Sequence, residues 1–228
     1  MVVMFESALS IVSVFLKRQK AAELVVGGRT KRIFDVVVCC IILVAFLPLF
    51  LIVAVLVRLT DPGPVIFRHE RVGLGKHRFQ CLKFRSMVVN SDEVLKALLE
   101  SNPEARQEWE RTQKLTKDPR ISPIGRVLRK SSLDELPQLI NVIRGEMSLV
   151  GPRPVVPSEL KRYGDMIGYY LRARPGITGL WQVSGRSDCE YLERVKMDAE
   201  YVRNWSFSSD LVILLRTLVA VLARKGSY

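Results

Sequence analysis

The longest apolar run of the chain, Val36–Val57, contains no charged residue over 22 positions. A helix of about that length crosses the hydrocarbon core of a bilayer. Pro48 interrupts the run and predicts a bend, because proline removes a helical hydrogen bond. Lys31 and Arg32 precede the run and Arg58 follows it, so the positive charges do not favour one orientation. The pattern predicts either a membrane-spanning helix or a re-entrant helix with both ends on one side.

A hairpin is predicted after the turn-forming segment Asp61–Pro64. Two short runs, Val65–Phe67 and Phe79–Phe84, are typical of strands, and Gly73–Lys76 lies between them as the turn. The turn sequence GLGK lacks the spacing of a phosphate-binding P-loop. We therefore interpret it as a connection between strands and not as a nucleotide site.

Two further segments are predicted to be helical. Charged residues of both signs dominate Asp92–Leu115, which is typical of a solvent-exposed helix, and we assign it no chemistry. The apolar segment Asp210–Ala223 is too short to span a bilayer comfortably and contains Arg216. It is better interpreted as an interfacial helix, with Ser208 or Ser209 as its N-cap.

The first 30 residues have a different pattern. The apolar stretch Ala8–Leu16 is followed by Lys17, Arg18 and Lys20. A secretory signal peptide carries its basic residues before the apolar region, which is the reverse order. We therefore interpret residues 1–30 as a loosely ordered or interfacial leader.

Composition and charge narrow the possible partners. The formal net charge of +12 indicates an anionic partner such as a nucleotide, an acidic lipid or a nucleic acid. A mean hydropathy of +0.15 is high for so basic a chain and indicates a membrane. The four cysteines include the adjacent pair Cys39 and Cys40 and show no C-x-x-C spacing. This pattern favours neither a zinc site nor a disulfide framework, and it indicates a reducing compartment.

The stretch Lys130–Pro154 carries the candidate chemistry. Ser132 and Glu135 have the S-x-x-E spacing of a capping box, which explains Glu135 without any catalytic role. The capping box does not explain Asp134, which lies in the first predicted helical turn, where the helix dipole favours an ionised carboxylate. Beside a phosphate, such a carboxylate can bind Mg²⁺ or attack phosphorus. Both the capping and the chemical interpretation remain open at this point.

Arginines around this stretch favour an anionic substrate. Arg153 lies between Pro152 and Pro154, so its backbone is stiff and its guanidinium is pre-aimed for bidentate phosphate contact. Arg126, Arg129 and Lys130 lie within eight residues of Asp134. The arrangement suits either a solvated ion-pair face or a site for a polyanionic substrate with a metal.

The segment RKSSLDELPQLINVIRGEMSLVGPRP resembles the signature block of the bacterial sugar transferases, the monotopic phosphoglycosyl transferases. The resemblance extends to KRIFD at Lys31–Asp35, DPGPVIF at Asp61–Phe67, RVGLGKHRFQCLKFRSM at Arg71–Met87 and RPGITGLWQVSGR at Arg174–Arg186. These motifs occur in the family's order and cover roughly residues 30 to 225.

The resemblance implies an enzyme that transfers a hexose-1-phosphate from a UDP-sugar to polyprenyl (undecaprenyl) phosphate and releases UMP. Asp134 would be the nucleophile of an aspartyl-phosphosugar intermediate, and Glu135 would assist as a second catalytic carboxylate. Both would hold Mg²⁺. The residues expected to contact substrate or phosphate are Lys83, Arg85, Arg129, Pro152, Arg153, Pro154 and Arg186.

The predicted fold is an α-rich α+β structure with a small β-hairpin and interfacial amphipathic helices. Residues 31–59 would form a membrane anchor, which the resemblance makes re-entrant and broken at Pro48, although Leu47 stands where several relatives have a small polar residue. Residues 60–228 would form a catalytic domain on the cytoplasmic face of the bacterial inner membrane. The expected partners are the UDP-sugar, polyprenyl phosphate, membrane lipids and downstream glycosyltransferases of exopolysaccharide or glycoconjugate synthesis, and no nucleic acid.

Two alternatives belong to other classes. A different metal-dependent phosphoryl-transfer enzyme often uses a D-x-D motif, which is absent from the sequence. A non-enzymatic basic membrane adaptor or nucleic-acid binder would interleave basic and aromatic residues on one face. Here the cations cluster around carboxylates instead.

Overall fold

The computed structural model describes residues 25–184 and 190–222. The predicted leader, except for its last six positions, therefore lies outside the described residues. Arg186 also lies outside them. The part that is described is rich in helices and contains two small two-stranded sheets.

Two helices, α1 (Gly28–Ala45) and α2 (Leu47–Thr60), form the N-terminal arm and meet at an angle of 66°. Within the described ranges, no single helix has the length and apolar character to cross a membrane, whereas these two pass that test together. The bend lies at Phe46, two residues before Pro48. Pro48 occupies the first turn of α2, where its missing N–H leaves no helical hydrogen bond unmade.

The predicted hairpin is confirmed by strands β1 (Ile66–Val72) and β2 (Arg78–Phe84). They pair antiparallel, with Phe67 opposite Lys83 and Val72 opposite Arg78. The first strand is five residues longer at its C-terminal end than the sequence pattern indicated. The turn is a short 3₁₀ segment in which Gly75 has a φ of 60°, a conformation that glycine adopts without steric penalty.

The prediction of one helix over Asp92–Leu115 is wrong. The segment forms α3 (Ser91–Ser101) and α4 (Pro103–Thr112), separated at Asn102. Proline disfavours a helical conformation at the residue before it, and the Asn102 side chain accepts a hydrogen bond from the Ala105 N–H at 3.0 Å. Asn102 therefore ends one helix and caps the next.

The remaining elements run from the centre of the chain to its C-terminal part. They are α5 (Pro123–Ser131), a 3₁₀ turn (Leu133–Glu135), α6 (Gln138–Arg144), β3 (Ser148–Val150), a 3₁₀ segment (Glu159–Met166), α7 (Ile167–Tyr170), β4 (Gly176–Thr178), α8 (Leu180–Val183), α9 (Tyr191–Arg203) and α10 (Phe207–Leu222). Strands β3 and β4 are parallel, with Ser148 opposite Gly176 and Val150 opposite Thr178.

One apolar core connects the arm to the rest of the protein. It includes Cys39 of α1, Phe79 of β2, Val142 of α6, Met147 before β3 and Ile213 of α10. Removing this much apolar surface from water is the main favourable contribution to folding. Because α1 contributes to the same core as the hairpin and α10, the arm is packed against the domain and is not a separate unit.

Helix α10 begins at Phe207, three residues before the predicted start. The predicted caps, Ser208 and Ser209, are replaced by a reciprocal pair. Ser206 N–H donates to Ser209 Oγ at 3.2 Å, and Ser209 N–H donates to Ser206 Oγ at 3.1 Å. Ser206 is therefore the residue that begins the helix, and Ser209 completes its first turn as in a capping box.

Large apolar side chains are exposed along α1, α2 and α10. The most exposed of them are Ile33, Ile41, Val44, Leu51, Leu59, Leu215 and Val219, each with at least 60 % of its surface accessible. Phe34 of α1 contacts Phe207 of α10 edge-to-face at 5.0 Å, so the N-terminal ends of these two helices are adjacent. Exposed apolar surface of this extent is unusual for a protein in water and marks an interaction face.

Candidate active site

The predicted capping box at Ser132 and Glu135 does not form. Ser132 has a φ of 57° and its side chain makes no capping hydrogen bond. The Glu135 carboxylate instead accepts a hydrogen bond from Lys83 Nζ of β2 at 2.6 Å. The segment is a 3₁₀ turn packed against the hairpin, so the interpretation of Glu135 as a helix cap is wrong.

Asp134 lies on this 3₁₀ turn with 9 % of its surface exposed. Burial raises the pKa of its carboxyl group above the usual value, and the neighbouring Glu135 carboxylate raises it further. Lys83 and Arg129 oppose this effect and lower the pKa of Asp134. The carboxylate is thus held between two cations in a partly desolvated position, where electrostatic interactions are stronger than in water.

Arg129 approaches Asp134 from α5. Its Nε donates to Ser86 Oγ at 2.9 Å, which fixes the side chain beside the turn. Burial lowers the pKa of Arg129, and the charges of Asp134 and Asp118 raise it. The structure therefore brings together four of the predicted site residues, Asp134, Glu135, Lys83 and Arg129.

The prolines around Arg153 belong to an extensively anchored segment. The Gly151 N–H donates to Thr178 O at 2.9 Å, and the Pro152 carbonyl accepts from the Gly176 N–H at 2.8 Å. The Val155 N–H donates to the hydroxyl of Tyr170 at 3.2 Å. With this backbone held in place, the exposed side chain of Arg153 extends from a rigid base.

Close backbone contact explains the glycines on either side of this turn. A Cβ atom at Gly151 would lie 2.3 Å from Arg174 O, and one at Gly179 would lie 2.3 Å from Gly151 O. A Cβ at Gly176 would lie 2.1 Å from Gly151 N. These distances are far below van der Waals contact, so the GPRP and RPGITG motifs pack at a separation that only glycine allows.

Cys81 lies within the electrostatic influence of both the Lys83–Glu135 pair and the Arg153 segment. It lies two residues before Lys83 on the same face of β2 and is buried. Burial raises the pKa of its thiol, Lys83, Arg71 and Arg153 lower it, and Glu135 raises it. The charges of Lys83, Glu135, Arg71 and Arg153 therefore all act on this thiol, and we call this group of charges the cationic surface.

Arg85 does not join this surface. Its Nη2 donates to the carbonyl oxygens of Val57 and Asp61 and lies 3.8 Å from Asp61 Oδ2. A Cβ at Gly63 would lie 2.2 Å from Arg85 Nη1, so the guanidinium packs directly against this glycine. The guanidinium thus satisfies the carbonyls at the end of α2, and Arg85 links the arm to the hairpin.

Sequence reasoning missed one residue that holds the Arg153 segment. Arg71 donates from Nη1 to the Pro154 carbonyl at 3.3 Å, and its position at the start of RVGLGK was the available signal. A second residue that it missed, Asp198, is buried on α9 and accepts a hydrogen bond from the Tyr163 hydroxyl at 2.8 Å. Its signal was a carboxylate at helical spacing between Val195 and Tyr201, on the buried face of α9.

The expected magnesium ion requires oxygen ligands. Among the residues that the structure describes, no three His, Cys, Asp or Glu side chains converge on a common point. Mg²⁺ is commonly bound by one or two carboxylates together with waters and substrate phosphates. Asp134 and Glu135 are hard oxygen donors next to an open cationic surface, so they fit such a partial coordination shell.

Comparison with known proteins gives a consistent result. The family model described as bacterial sugar transferase matches residues 26–224. The chain is 51 % identical over 214 residues to the exopolysaccharide production protein ExoY of Sinorhizobium fredii. This alignment covers 94 % of this chain and 95 % of that protein.

Two further relatives carry more specific names. The undecaprenyl-phosphate galactose phosphotransferase of Salmonella typhimurium is 54 % identical over 198 residues, covering 87 % of this chain but 41 % of that protein. The UDP-glucose:undecaprenyl-phosphate glucose-1-phosphate transferase of Caulobacter vibrioides is 40 % identical over 206 residues, covering 87 % of this chain and 72 % of that protein.

Proposed function

The chain belongs to the bacterial sugar transferase family, and from this premise we propose that it transfers a hexose-1-phosphate from a UDP-sugar to undecaprenyl phosphate and releases UMP. The single observation that carries the proposal is the position of Asp134, partly desolvated and flanked by Lys83 and Arg129. A carboxylate in such a place is suited to attack phosphorus in a diphosphate whose charge the cations offset.

The proposed reaction has two displacements. In the first, an Asp134 carboxylate oxygen attacks the sugar-linked phosphorus, the bond from that phosphorus to the bridging oxygen breaks, and UMP leaves with the electron pair. In the second, a phosphate oxygen of undecaprenyl phosphate attacks the same phosphorus, and the Asp134 carboxylate is released. The product is undecaprenyl diphosphate-sugar. Two steps allow one site to serve a soluble donor and a lipid acceptor in turn.

The surrounding cations have separate proposed tasks. Lys83 and Arg129 stabilise the ionised form of Asp134 and offset charge on the transferred phosphoryl group. Arg153 contacts the nucleotide phosphates, and Arg186 supplies a second guanidinium there. Pro152 and Pro154 hold the backbone of the donor-binding turn.

Glu135 is placed to assist Asp134 and to share a bound metal. Its ion pair with Lys83 keeps its carboxylate at the edge of the site. Bound Mg²⁺ would be held by Asp134 and Glu135 and would offset the charge of the donor diphosphate.

The exposed apolar helices support a membrane location for this reaction. Val44 at the bend of the arm is 77 % exposed, and Leu215 of α10 is 65 % exposed. We propose that residues 31–59 enter the inner membrane as a re-entrant anchor and that α10 lies in the interface, with residues 60–228 on the cytoplasmic face. The net charge of +12 favours an anionic membrane surface. The product would pass to downstream glycosyltransferases.

The direct test is UMP release by the full chain in detergent or membranes, with undecaprenyl phosphate and a panel that includes UDP-galactose and UDP-glucose. We expect one donor to be active and Asp134→Asn to reduce turnover at least about 1,000-fold. Glu135→Gln should reduce turnover to a smaller extent. Asn is nearly isosteric, so unfolding temperature and membrane association should not change. Turnover retained by Asp134→Asn would contradict the covalent step, and no UMP from any donor would contradict the transferase function.

A further inference from the structure

His69 is an exposed residue of β1 for which the proposed chemistry has no use so far. In the register of the hairpin it lies opposite Cys81, and Phe67 lies opposite Lys83. Paired residues of an antiparallel hairpin, and alternate residues of one strand, point to the same face. His69 therefore lies on the face of the hairpin that carries Lys83, within the cationic surface.

Two contacts hold the imidazole ring of His69. The ring of Phe67 lies on one side, with its centre 5.9 Å from that of the imidazole and the two planes at 55°, which is typical of an aromatic pair. On the other side, Arg71 Nη2 lies 3.1 Å from His69 Nδ1. An exposed histidine needs no functional explanation by itself. A ring held at two points, however, loses less conformational entropy when it binds a ligand.

The contact with Arg71 determines which nitrogen of His69 carries the hydrogen. A guanidinium can only donate, so Nδ1 must accept, and the hydrogen of the neutral ring lies on Nε2. Burial lowers the pKa of His69 below its usual value, the charges of Arg71 and Lys83 lower it further, and Glu159 raises it. The ring is therefore neutral at pH 7. It presents one N–H donor, on Nε2.

Arg71 links His69 to the turn that carries Arg153. Its Nη1 donates to the Pro154 carbonyl at 3.3 Å and lies 3.7 Å from the Glu159 carboxylate. Its Nη2 donates to His69. Both terminal nitrogens of Arg71 thus have protein partners, and its side chain is only 17 % exposed. Arg71 therefore holds its neighbours in place, and His69 is the residue next to it that offers a donor to a ligand.

We propose that His69 is a binding residue for the donor: its Nε2–H donates a hydrogen bond to a phosphate oxygen of the UDP-sugar diphosphate. Along β1, His69 lies between Arg71, which contacts the Arg153 turn, and the position opposite Lys83. The proposed function assigns the nucleotide phosphates to Arg153 and the transferred phosphoryl group to Lys83, so a diphosphate that joins them passes His69. The inference rests on that proposed function.

Two amide substitutions separate a contact with phosphate from a contact with Arg71. The amide of His69→Gln reaches the position of Nε2 and keeps a donor for phosphate. The shorter amide of His69→Asn reaches only the position of Nδ1, so it keeps an acceptor for Arg71 and lacks the outer donor. His77→Asn is the matched control, because His77 is the other histidine of the sequence and lies exposed in the turn of the hairpin.

The experiment measures UMP release by the full chain at varied UDP-sugar and at varied undecaprenyl phosphate, with equilibrium binding of UDP in parallel. We expect His69→Asn to weaken UDP binding and to lower kcat/KM for the donor about 20-fold, because a hydrogen bond to a charged group is lost. His69→Gln should stay within about three-fold of the wild type. His77→Asn should match the wild type, and neither the KM for undecaprenyl phosphate nor the unfolding temperature should change in any variant.

The position of the hydrogen is measured directly in His77→Asn, where His69 is the one histidine left. A two-bond ¹H–¹⁵N correlation spectrum of the imidazole, recorded above pH 7, should show the hydrogen on Nε2. The Nε2 resonance should shift when UDP is added. Neither observation requires turnover.

Other results would overturn the proposal. If His69→Gln lost UDP binding while His69→Asn kept it, the imidazole would act only as an acceptor for Arg71. Unchanged UDP binding in both variants, with a raised KM for undecaprenyl phosphate, would assign the contact to the lipid phosphate. A hydrogen on Nδ1 would also contradict the proposal. Failure of the proposed function is distinguishable, because wild type would then release no UMP, whereas UDP binding and the imidazole spectrum would still report on His69.

Discussion

Two clusters in this protein contain the same groups, a pair of carboxylates and a lysine, but in different surroundings. In the first, Lys31 Nζ lies 2.6 Å from Asp210 Oδ2 and 3.9 Å from Asp35 Oδ1, where α1 meets α10. In the second, Lys83 Nζ lies 2.6 Å from Glu135 Oε1, and Asp134 is the adjacent residue. The side chains of the first cluster are at most 7 % exposed, whereas those of the Lys83–Glu135 pair are about one-third exposed.

The two clusters differ more in the number of protein hydrogen bonds that their carboxylates accept than in their exposure. Asp210 also accepts hydrogen bonds from the Tyr201 hydroxyl at 2.7 Å and from Trp205 Nε1 at 3.1 Å. Asp35 accepts one from Ser148 Oγ at 2.7 Å. Most of the hydrogen-bond acceptor sites of these two carboxylates are therefore filled by protein groups, as expected for a structural junction. Asp134 has two cations as neighbours and retains the capacity to react, which suits a substrate site.

The largest expected effect is on the buried junction. Lys31→Met removes the cation and leaves Asp35 and Asp210 buried without their counter-charge. Removing one partner of a buried ion pair typically costs about 3–5 kcal/mol, so we expect a large fall in unfolding free energy measured by denaturant titration in micelles. At a temperature where the variant is still folded, its KM for the donor should be unchanged. If Lys31→Met kept its full stability but lost activity, the Lys31 cluster would be part of the active site, which would contradict its assignment as a structural junction.

The next effect is on the pH dependence of catalysis. Lys83 lowers the pKa of Asp134, so Lys83→Met should raise it further and reduce the ionised fraction at a given pH. Since the proposed attacking group is the ionised carboxylate, the acid limb of the pH–rate profile should shift to higher pH, and kcat should fall about 100-fold at pH 7. Lys83→Arg keeps the charge and serves as the matched control. An unshifted acid limb in Lys83→Met would show that Asp134 is not the titrating group.

The smallest effect is on a single hydrogen bond between the Arg129 guanidinium and a neutral hydroxyl. Ser86→Ala removes the acceptor of Arg129 Nε and should reduce kcat/KM about five-fold, consistent with about 1 kcal/mol for one hydrogen bond. Ser101→Ala is a control, because Ser101 is exposed and its hydroxyl donates to the Ala97 carbonyl within α3. Equal activity of both variants would show that Arg129 keeps its position without Ser86.

Features with a local signal were predicted from the sequence. The hairpin follows from turn glycines between apolar runs, and the bend in the arm follows from Pro48. The division of α3 from α4 also has a local signal, since Asn102 precedes Pro103, whereas the charge pattern alone does not show it. The Ser206 cap was missed because neighbouring serines offered equivalent candidates.

The composition of the site depended on contacts that no local pattern encodes. Lys83 and Glu135 are 52 positions apart, so the ion pair that replaces the capping box arises only when the hairpin packs on the 3₁₀ turn. Lys83 and Arg85 were predicted together from one motif, yet the fold directs Lys83 to the carboxylates and Arg85 to the end of α2.

The central claim is that the Asp134 carboxylate forms a covalent bond with the transferred phosphosugar. The most direct measurement is incubation of the full chain with its UDP-sugar and no acceptor, followed by a rapid quench, proteolysis and mass spectrometry. We predict close to one UMP released per active protein and a hexose-phosphate adduct on Asp134, absent from Asp134→Asn and removed by undecaprenyl phosphate. UMP release that requires the acceptor, with no adduct on the protein, would contradict the account.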